Sequence, residues 1–223
     1  MKAFVVDLDS RENQSILKSS TRCSNNQAHQ VNEAVKKIDK LIKNAPYSND
    51  DIILNHNKIK EAFFSPFEPQ LKNAQVFLSH SHADKDKSLE VKNYLENQTK
   101  RKVFIDSLFW DYKDDVLNKL AEYDDVSKIE DAFTLILRES LQDMIEKCPY
   151  FVFLQSKNSV SNQGLSQITY SAWIYEELKI THSISESRPI PMMESMQVFH
   201  DISPFLESFE TITLKKLSQQ INS

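Results

Sequence analysis

The sequence predicts an α/β fold, a parallel sheet with helices on both faces. Three observations carry that expectation. The apolar runs Val76-Phe77-Leu78, Val103-Phe104-Ile105 and Phe151-Val152-Phe153-Leu154 have the length of buried strands rather than of helices. Stretches with apolar residues at helical spacing lie between them. From the start of the first run to the end of the second is about thirty residues, the size of a strand–helix–strand unit with parallel pairing.

In chain order, Ala3–Val6 reads as a strand and Ser10–Gln30 as loop or weak helix. Val31, Ala34, Val35, Ile38, Leu41 and Ile42 form one apolar stripe of a helix that Pro46 ends. Ile52–Phe64 reads as a second helix, broken by Ser65-Pro66-Phe67-Glu68-Pro69. Residues 1–73 are therefore expected to form a mainly helical N-terminal extension, and residues 74–223 the main domain. There Val76–Leu78 gives way at once to Ser79, His80, Ser81, His82 and Asp84, a polar loop at the carboxyl end of a strand, where open parallel sheets place ligands. A helix through Leu89, Tyr94 and Leu95 leads to the second strand, which ends in Asp106. Residues 111–131, with eight acids against three lysines, read as a solvated helix-and-loop face. Ile129–Cys148 is the clearest helix, Pro149 stops it, and Tyr150–Leu154 is the third strand, followed by the loop Gln155–Asn158. Ser159–Tyr170 reads as irregular and Ser171–Ile180 as helical, with Trp173, Glu177 and Ile180 on one side. Pro189–Met193 and Gln197–Phe199 are weaker strand candidates. Thr211–Leu214 is a stronger one, ahead of a short closing helix.

Composition narrows the function. The chain has 223 residues, of which 40% are hydrophobic and 26% charged, as in a soluble globular protein. No apolar run approaches the about 20 residues of a membrane span. Asp7 interrupts the apolar N-terminus and no small-residue cleavage site follows, so a cytoplasmic protein is expected rather than a secreted one. A net charge of −5 offers no footprint for nucleic acid. Cys23 and Cys148 stand far apart and outside any CxxC pair, so free thiols are expected and no metal-ligand spacing is present. Gly164 is the single glycine, which excludes both a P-loop and a GxGxxG turn. Any nucleotide must be held by side chains.

Four pieces in this order, Val76-Phe-Leu-Ser-His-Ser, Val103-Phe-Ile-Asp, Phe151-Val-Phe-Leu-Gln-Ser-Lys-Asn and Ser171-Ala-Trp-Ile-Tyr-Glu-Glu-Leu, resemble the Toll/interleukin receptor (TIR) domain, in particular the stand-alone bacterial type. The resemblance covers about residues 74–220. It implies a flavodoxin-like, three-layer fold on a five-stranded parallel sheet. It also implies cleavage of NAD, as substrate and not as cofactor, at the nicotinamide–ribose bond. The products would be nicotinamide and ADP-ribose or a cyclic ADP-ribose signal, in antiphage defence. The family's catalytic glutamate lies four positions after the tryptophan, which is Glu177 here. Glu176 is about 100° further round the helix. Phe77, Ser79, His80, Asp106, Trp110, Asn158 and Trp173 are expected to line the substrate site. The implied partners are other copies of the chain on activation and a downstream effector that senses a cyclic product.

The chemistry is compatible with a single carboxylate. An ordinary glycosidase needs a second one to protonate its leaving group. Nicotinamide departs neutral from a pyridinium, so one glutamate that stabilises the charge developing on the ribose is enough. Ser171 precedes Trp173 by two positions rather than the family's three. Two further departures stand out: the loop Ser107–Tyr112 after the second strand has no glycine, and the stretch between Asp106 and the long helix is longer than usual for the family. The alternative reading is a non-catalytic TIR adaptor acting through homotypic contacts. A receiver domain is disfavoured, because no acidic pair follows the Val76–Leu78 strand to build a magnesium site.

Overall fold

Ala3, Phe4, Val5 and Val6 form a short apolar run between Lys2 and Asp7, and the side chains of Phe4, Val5 and Val6 are buried. In the structure, a computed structural model, this run is a central strand. Residues 1–17, 27–44, 47–48, 51–52, 55–65, 72–105, 107–121, 127–163, 166–185 and 200–223 are described. In order the elements are β1 (Lys2–Asp7), α1 (Arg11–Leu17), α2 (Gln27–Lys43), β2 (Tyr47–Ser48), β3 (Asp51–Ile52), α3 (His56–Phe64), β4 (Ala74–Ser79), α4 (Lys85–Thr99), β5 (Lys102–Ile105), α5 (Ser107–Leu120) and α6 (Ser127–Lys147). Then come β6 (Tyr150–Gln155), β7 (Ser161–Gln163), β8 (Ser166–Thr169), α7 (Ala172–Ser185), β9 (His200–Asp201), α8 (Ser203–Glu207), β10 (Glu210–Thr211) and α9 (Leu214–Asn222).

The main sheet has five strands, all parallel, in the order β10-β1-β6-β4-β5. Helices flank it in the flavodoxin-like, three-layer manner expected. Its order differs in one respect from the flavodoxin order 2-1-3-4-5. With β4, β5, β6 and β10 counted as first, second, third and fifth, the fourth place belongs to β1. The strand predicted at Ala3–Val6 thus lies within the sheet rather than in a separate extension. Residue pairing alone explains why sequence reasoning misplaced it: a four-residue apolar run specifies a strand but not its neighbour.

The chain forms two compact units. The first comprises Met1–Cys23, Ala74–Ser107 and Leu141–Ser223, and the second Ser24–Asn73 and Leu108–Ser140. The boundary expected at residue 73 therefore marks only one of several crossings between them.

In the first unit, β1 is joined to β6 over its whole length, from Lys2 opposite Tyr150 to Asp7 opposite Gln155. The amide of Lys2 donates to Pro149 O at 2.9 Å and that of Leu8 to Gln155 O at 2.8 Å, closing both ends. On its other side the Ile212 amide donates to Val5 O at 2.9 Å. Buried Asn13 then links β1 to the last helix, its Nδ2 donating to Asp7 O at 2.7 Å and its Oδ1 accepting from the Leu214 amide at 2.9 Å. Helices α1, α4 and α9 pack against one another. An aromatic ladder crosses the sheet. Phe77 stacks on Phe151 at 5.6 Å and meets Phe104 at 5.6 Å, and Phe151 meets Phe209 edge-on at 5.9 Å.

In the second unit α2 and α3 pack together, and Ala34, Val35 and Ile38 of α2 and Ile59, Ala62, Phe63 and Phe64 of α3 are buried. Asn55 caps α3 by accepting from the Lys58 amide. Phe63 meets Phe133 edge-on at 5.1 Å, and Glu139 accepts from His56 at 3.1 Å.

Elsewhere the sequence reading needs adjustment. Ser159–Tyr170 is not irregular, since β7 and β8 pair antiparallel within it and β9 joins β8. The strand expected over Thr211–Leu214 is shorter and one residue earlier, because Thr213 caps α9 by accepting from the Lys216 amide. The strand candidates Pro189–Met193 and Gln197–Phe199 lie outside the described residues.

A central β1 makes Phe4 a core residue. Phe4→Ala should cost about 3–5 kcal/mol in urea unfolding. A loss below about 0.5 kcal/mol, as for a side chain on a detached tail, contradicts this placement.

Candidate active site

Because all five strands are parallel, their carboxyl ends meet at one edge of the sheet. From β4 the chain moves to β5 on one side, and from β6 it moves to β10 on the other. Loops that leave neighbouring strands in opposite directions open a crevice, the usual ligand position in such sheets. That point falls between β4 and β6.

On the β4 side, Ser79 ends the strand opposite Phe153, and His80 comes next. Their exposures are 0% and 3%. Among the described residues Ser79 Oγ has no hydrogen-bond partner. On the β6 side, Ser156–Ser159 forms a tight turn in which Ser156 N donates to Ser159 Oγ at 2.8 Å and Asn158 N to Ser156 Oγ at 3.0 Å.

Asp84 joins the two sides. It stands at the start of α4, where an Asp ordinarily caps the helix, yet its carboxylate makes no cap bond. It accepts instead from Ser156 Oγ in a short hydrogen bond and from Asn158 Nδ2 at 2.9 Å. With only 3% of its surface exposed, this carboxylate depends on those donors and on Lys87 Nζ, 3.9 Å away, to replace lost hydration. Lys87 also donates to Asp9 Oδ1 at 3.3 Å, and the Lys157 amide donates to Asp9 Oδ2 at 3.0 Å. The carboxyl ends of β1, β4 and β6 are thereby held together by two aspartates and one lysine. The Lys157 N–H is the main cause that holds the Asp9 carboxyl below its ordinary range. Burial pushes the other way, and Lys87 adds to the lowering.

The predicted residues fall into distinct environments. Glu177 lies on the face of α7 that also carries Ile174, Leu178 and Thr181, all buried, and its own exposure is 0%. Placing a carboxylate on a buried, mainly apolar helix face costs on the order of several kcal/mol unless neighbouring groups replace water, so such a residue is rarely a packing choice. Glu176, one position earlier, pairs with Lys179 at 3.8 Å. Trp173 is half-buried one turn before Glu177. Phe77 belongs to the aromatic ladder below the edge, with a sheet neighbour on each side. Asn158 is engaged by Asp84. Asp106 lies outside the described residues, as does the side chain of Trp110, whose backbone is in α5.

Asp84 and Ser156 were not singled out by sequence reasoning. The available signal was an acid at the start of a predicted helix together with a Ser-Lys-Asn turn after a strand, which only the fold brings together. Cys148 is buried, and burial pushes its thiol up to about 12, so it is protonated and unreactive at neutral pH. Cys23 lies outside the described residues. Among the described residues no group of three or more His, Cys, Asp or Glu is placed to hold a metal ion, and no helix is long and apolar enough to cross a membrane.

Comparison of the chain with family models, curated proteins and solved structures finds no match. The sheet, its switch point and the buried acids are thus what define a class here: an α/β protein of flavodoxin-like architecture.

The Asp9 contacts give a pH test. A carboxyl whose folded pKa is depressed contributes stability fully above its unfolded value of 3.8, and loses it as pH falls through the folded value. Asp9→Asn should be less stable than wild type from neutral pH down to about pH 4, with the gap closing below that. A gap in urea midpoint unchanged down to about pH 2 contradicts the assigned contacts.

Proposed function

We propose that this protein cleaves the nicotinamide–ribose bond of NAD, with Glu177 as the catalytic carboxylate. The observation that carries the reading is Glu177 itself, an ionisable group with 0% exposure on the core-facing stripe of α7. Buried carboxylates of this kind mark sites where charge is used rather than solvated. The TIR resemblance of Ser171–Leu178 supplies the reaction, and the crevice beside Ser79 and His80 supplies an edge of the kind where such sheets bind ligands.

In the proposed reaction the bond between the ribose anomeric carbon and the pyridinium nitrogen breaks. Its electron pair leaves with nicotinamide, which departs neutral. Glu177 stabilises the positive charge left on the ribose. Water adds to that carbon and releases one proton, giving ADP-ribose. Attack by a group of the substrate itself gives the cyclic product instead. The proposal places this activity in the cytoplasm, in antiphage defence, with self-association on activation and an effector that senses the product. Glu177, Ser79 and His80 have almost no surface in contact with solvent, so substrate entry requires the site to open.

Purified protein incubated with NAD, alone and under induced assembly, should release nicotinamide. Glu177→Gln should lower the rate by on the order of 10²–10³-fold while leaving the circular dichroism spectrum unchanged. An inert wild type, or a folded variant within about threefold of wild type, overturns the enzyme reading and leaves the adaptor.

A further inference from the structure

In the second unit α2 and α3 border an open groove of about 440 Å³, lined by Lys37, Lys40, Leu41 and Asn44 from α2 and its end and by Lys58, Glu61, Ala62 and Ser65 from α3 and its end. Both sets have the spacing i, i+3, i+4, i+7, so each helix turns one face toward the groove. The two faces are layered alike. Leu41 and Ala62 supply apolar surface at the same step, and Asn44 and Ser65 supply small polar groups at the next.

The charges are arranged unevenly. Lys37 is matched by Glu33 at 2.8 Å and donates to Ser65 Oγ at 2.7 Å. Lys43 is matched by Asp39 at 2.7 Å, and Lys60 has Glu139 at 3.6 Å. Lys40 and Lys58 line the groove and have no carboxylate within ion-pair distance among the described residues. The same holds for Lys36, which does not line it. Against these lysines the lining offers a single carboxylate among the described residues, Glu61. In a chain whose net charge is −5, this groove is a local concentration of positive charge with an apolar floor.

We propose that the groove binds a phosphate-bearing small molecule with an apolar or aromatic body, of about the size of a mononucleotide. Its volume lies within the roughly 300–1,000 Å³ of small-molecule sites, too large for one inorganic anion. Lys40 and Lys58 meet the phosphate as point charges, as lysines do in other phosphate sites. Leu41 and Ala62 take the apolar body. Asn44 Nδ2 is already used, donating to Lys40 O at 2.6 Å, which leaves its Oδ1 to accept from a ligand hydroxyl. The site is independent of Glu177 and of the proposed NAD chemistry.

The test is calorimetric titration of the full chain with ATP in the absence of divalent cations, with pyrophosphate, adenosine and a 15-nucleotide oligothymidylate as separate arms. ATP is expected to bind at one site, more tightly than either pyrophosphate or adenosine, with an affinity that falls as salt is raised. The double substitution Lys40→Gln, Lys58→Gln should weaken it about tenfold or more, each single substitution less, and Lys36→Gln and Glu177→Gln not at all. Lys40 and Lys58 are exposed, so the variants should keep the wild-type melting temperature. The single substitutions serve as the test if the double one does not fold. No binding of ATP, or binding unchanged by the groove substitutions, overturns the proposal. Tighter, lysine-dependent binding of the oligonucleotide overturns it in favour of a nucleic-acid surface.

Discussion

The structure depends on one pairing: the first six-residue strand, β1, inserted between β6 and β10. A parallel strand in the middle of a sheet must satisfy its backbone on both sides and bury both faces. Phe4, Val5 and Val6 meet that demand with side chains alone. The pairing also fixes the segment after β1. Asp7 O is anchored by Asn13, which in turn holds the start of α9, so the two ends of the chain are tied to each other. Without β1, β10 has no neighbour in the sheet, and β6, which carries Phe151 and Phe153, becomes an open edge.

The same pairing builds the carboxyl edge. Asp9 lies just beyond β1, Asp84 beyond β4 and Ser156 beyond β6, and they meet only because these strands run side by side in one direction. This edge is held by charge as much as by packing. Lys87 serves two carboxylates, and the turn after β6 donates one side-chain amide, one hydroxyl and one backbone N–H to them. Such a network fixes loop positions on either side of the crevice while leaving Ser79 and His80 as the polar groups nearest the β4 end. Glu177 adds a further buried acid on the apolar face of a separate helix. Two buried carboxylates, Asp84 and Glu177, lower the stability of this unit unless neighbouring groups replace their lost hydration.

Sequence alone made much of this legible, for identifiable reasons. Strands β4, β5 and β6 have apolar runs bounded by polarity, and α6 has a long periodic stripe, so local pattern and tertiary role coincide. The sequence groups Glu177 with Trp173 and Ile180, whereas its burial on α7 accompanies that of Ile174, Leu178 and Thr181. Three features were not readable. The place of β1 depends on a partner about 150 residues away, which no local signal names. The short pairs β7–β8 and β8–β9 are polar, and their residues carry no alternation strong enough to distinguish strand from loop. Asp84 looked like one polar residue among five, and its role arises only when β6 brings Ser156 beside it. Phe77, read as a substrate contact, also stands in the aromatic ladder, with Phe104 on one side and Phe151 on the other.

Hydrogen exchange resolved to single amides tests the central pairing most directly. The account predicts that the amides of Leu8 and Ile212, donated to Gln155 O and Val5 O, exchange with the slowest set and report global unfolding, together with the core amides of β4 and β6. Exchange of the Leu8 amide at the rate of an open chain, while β4 and β6 remain protected, contradicts it.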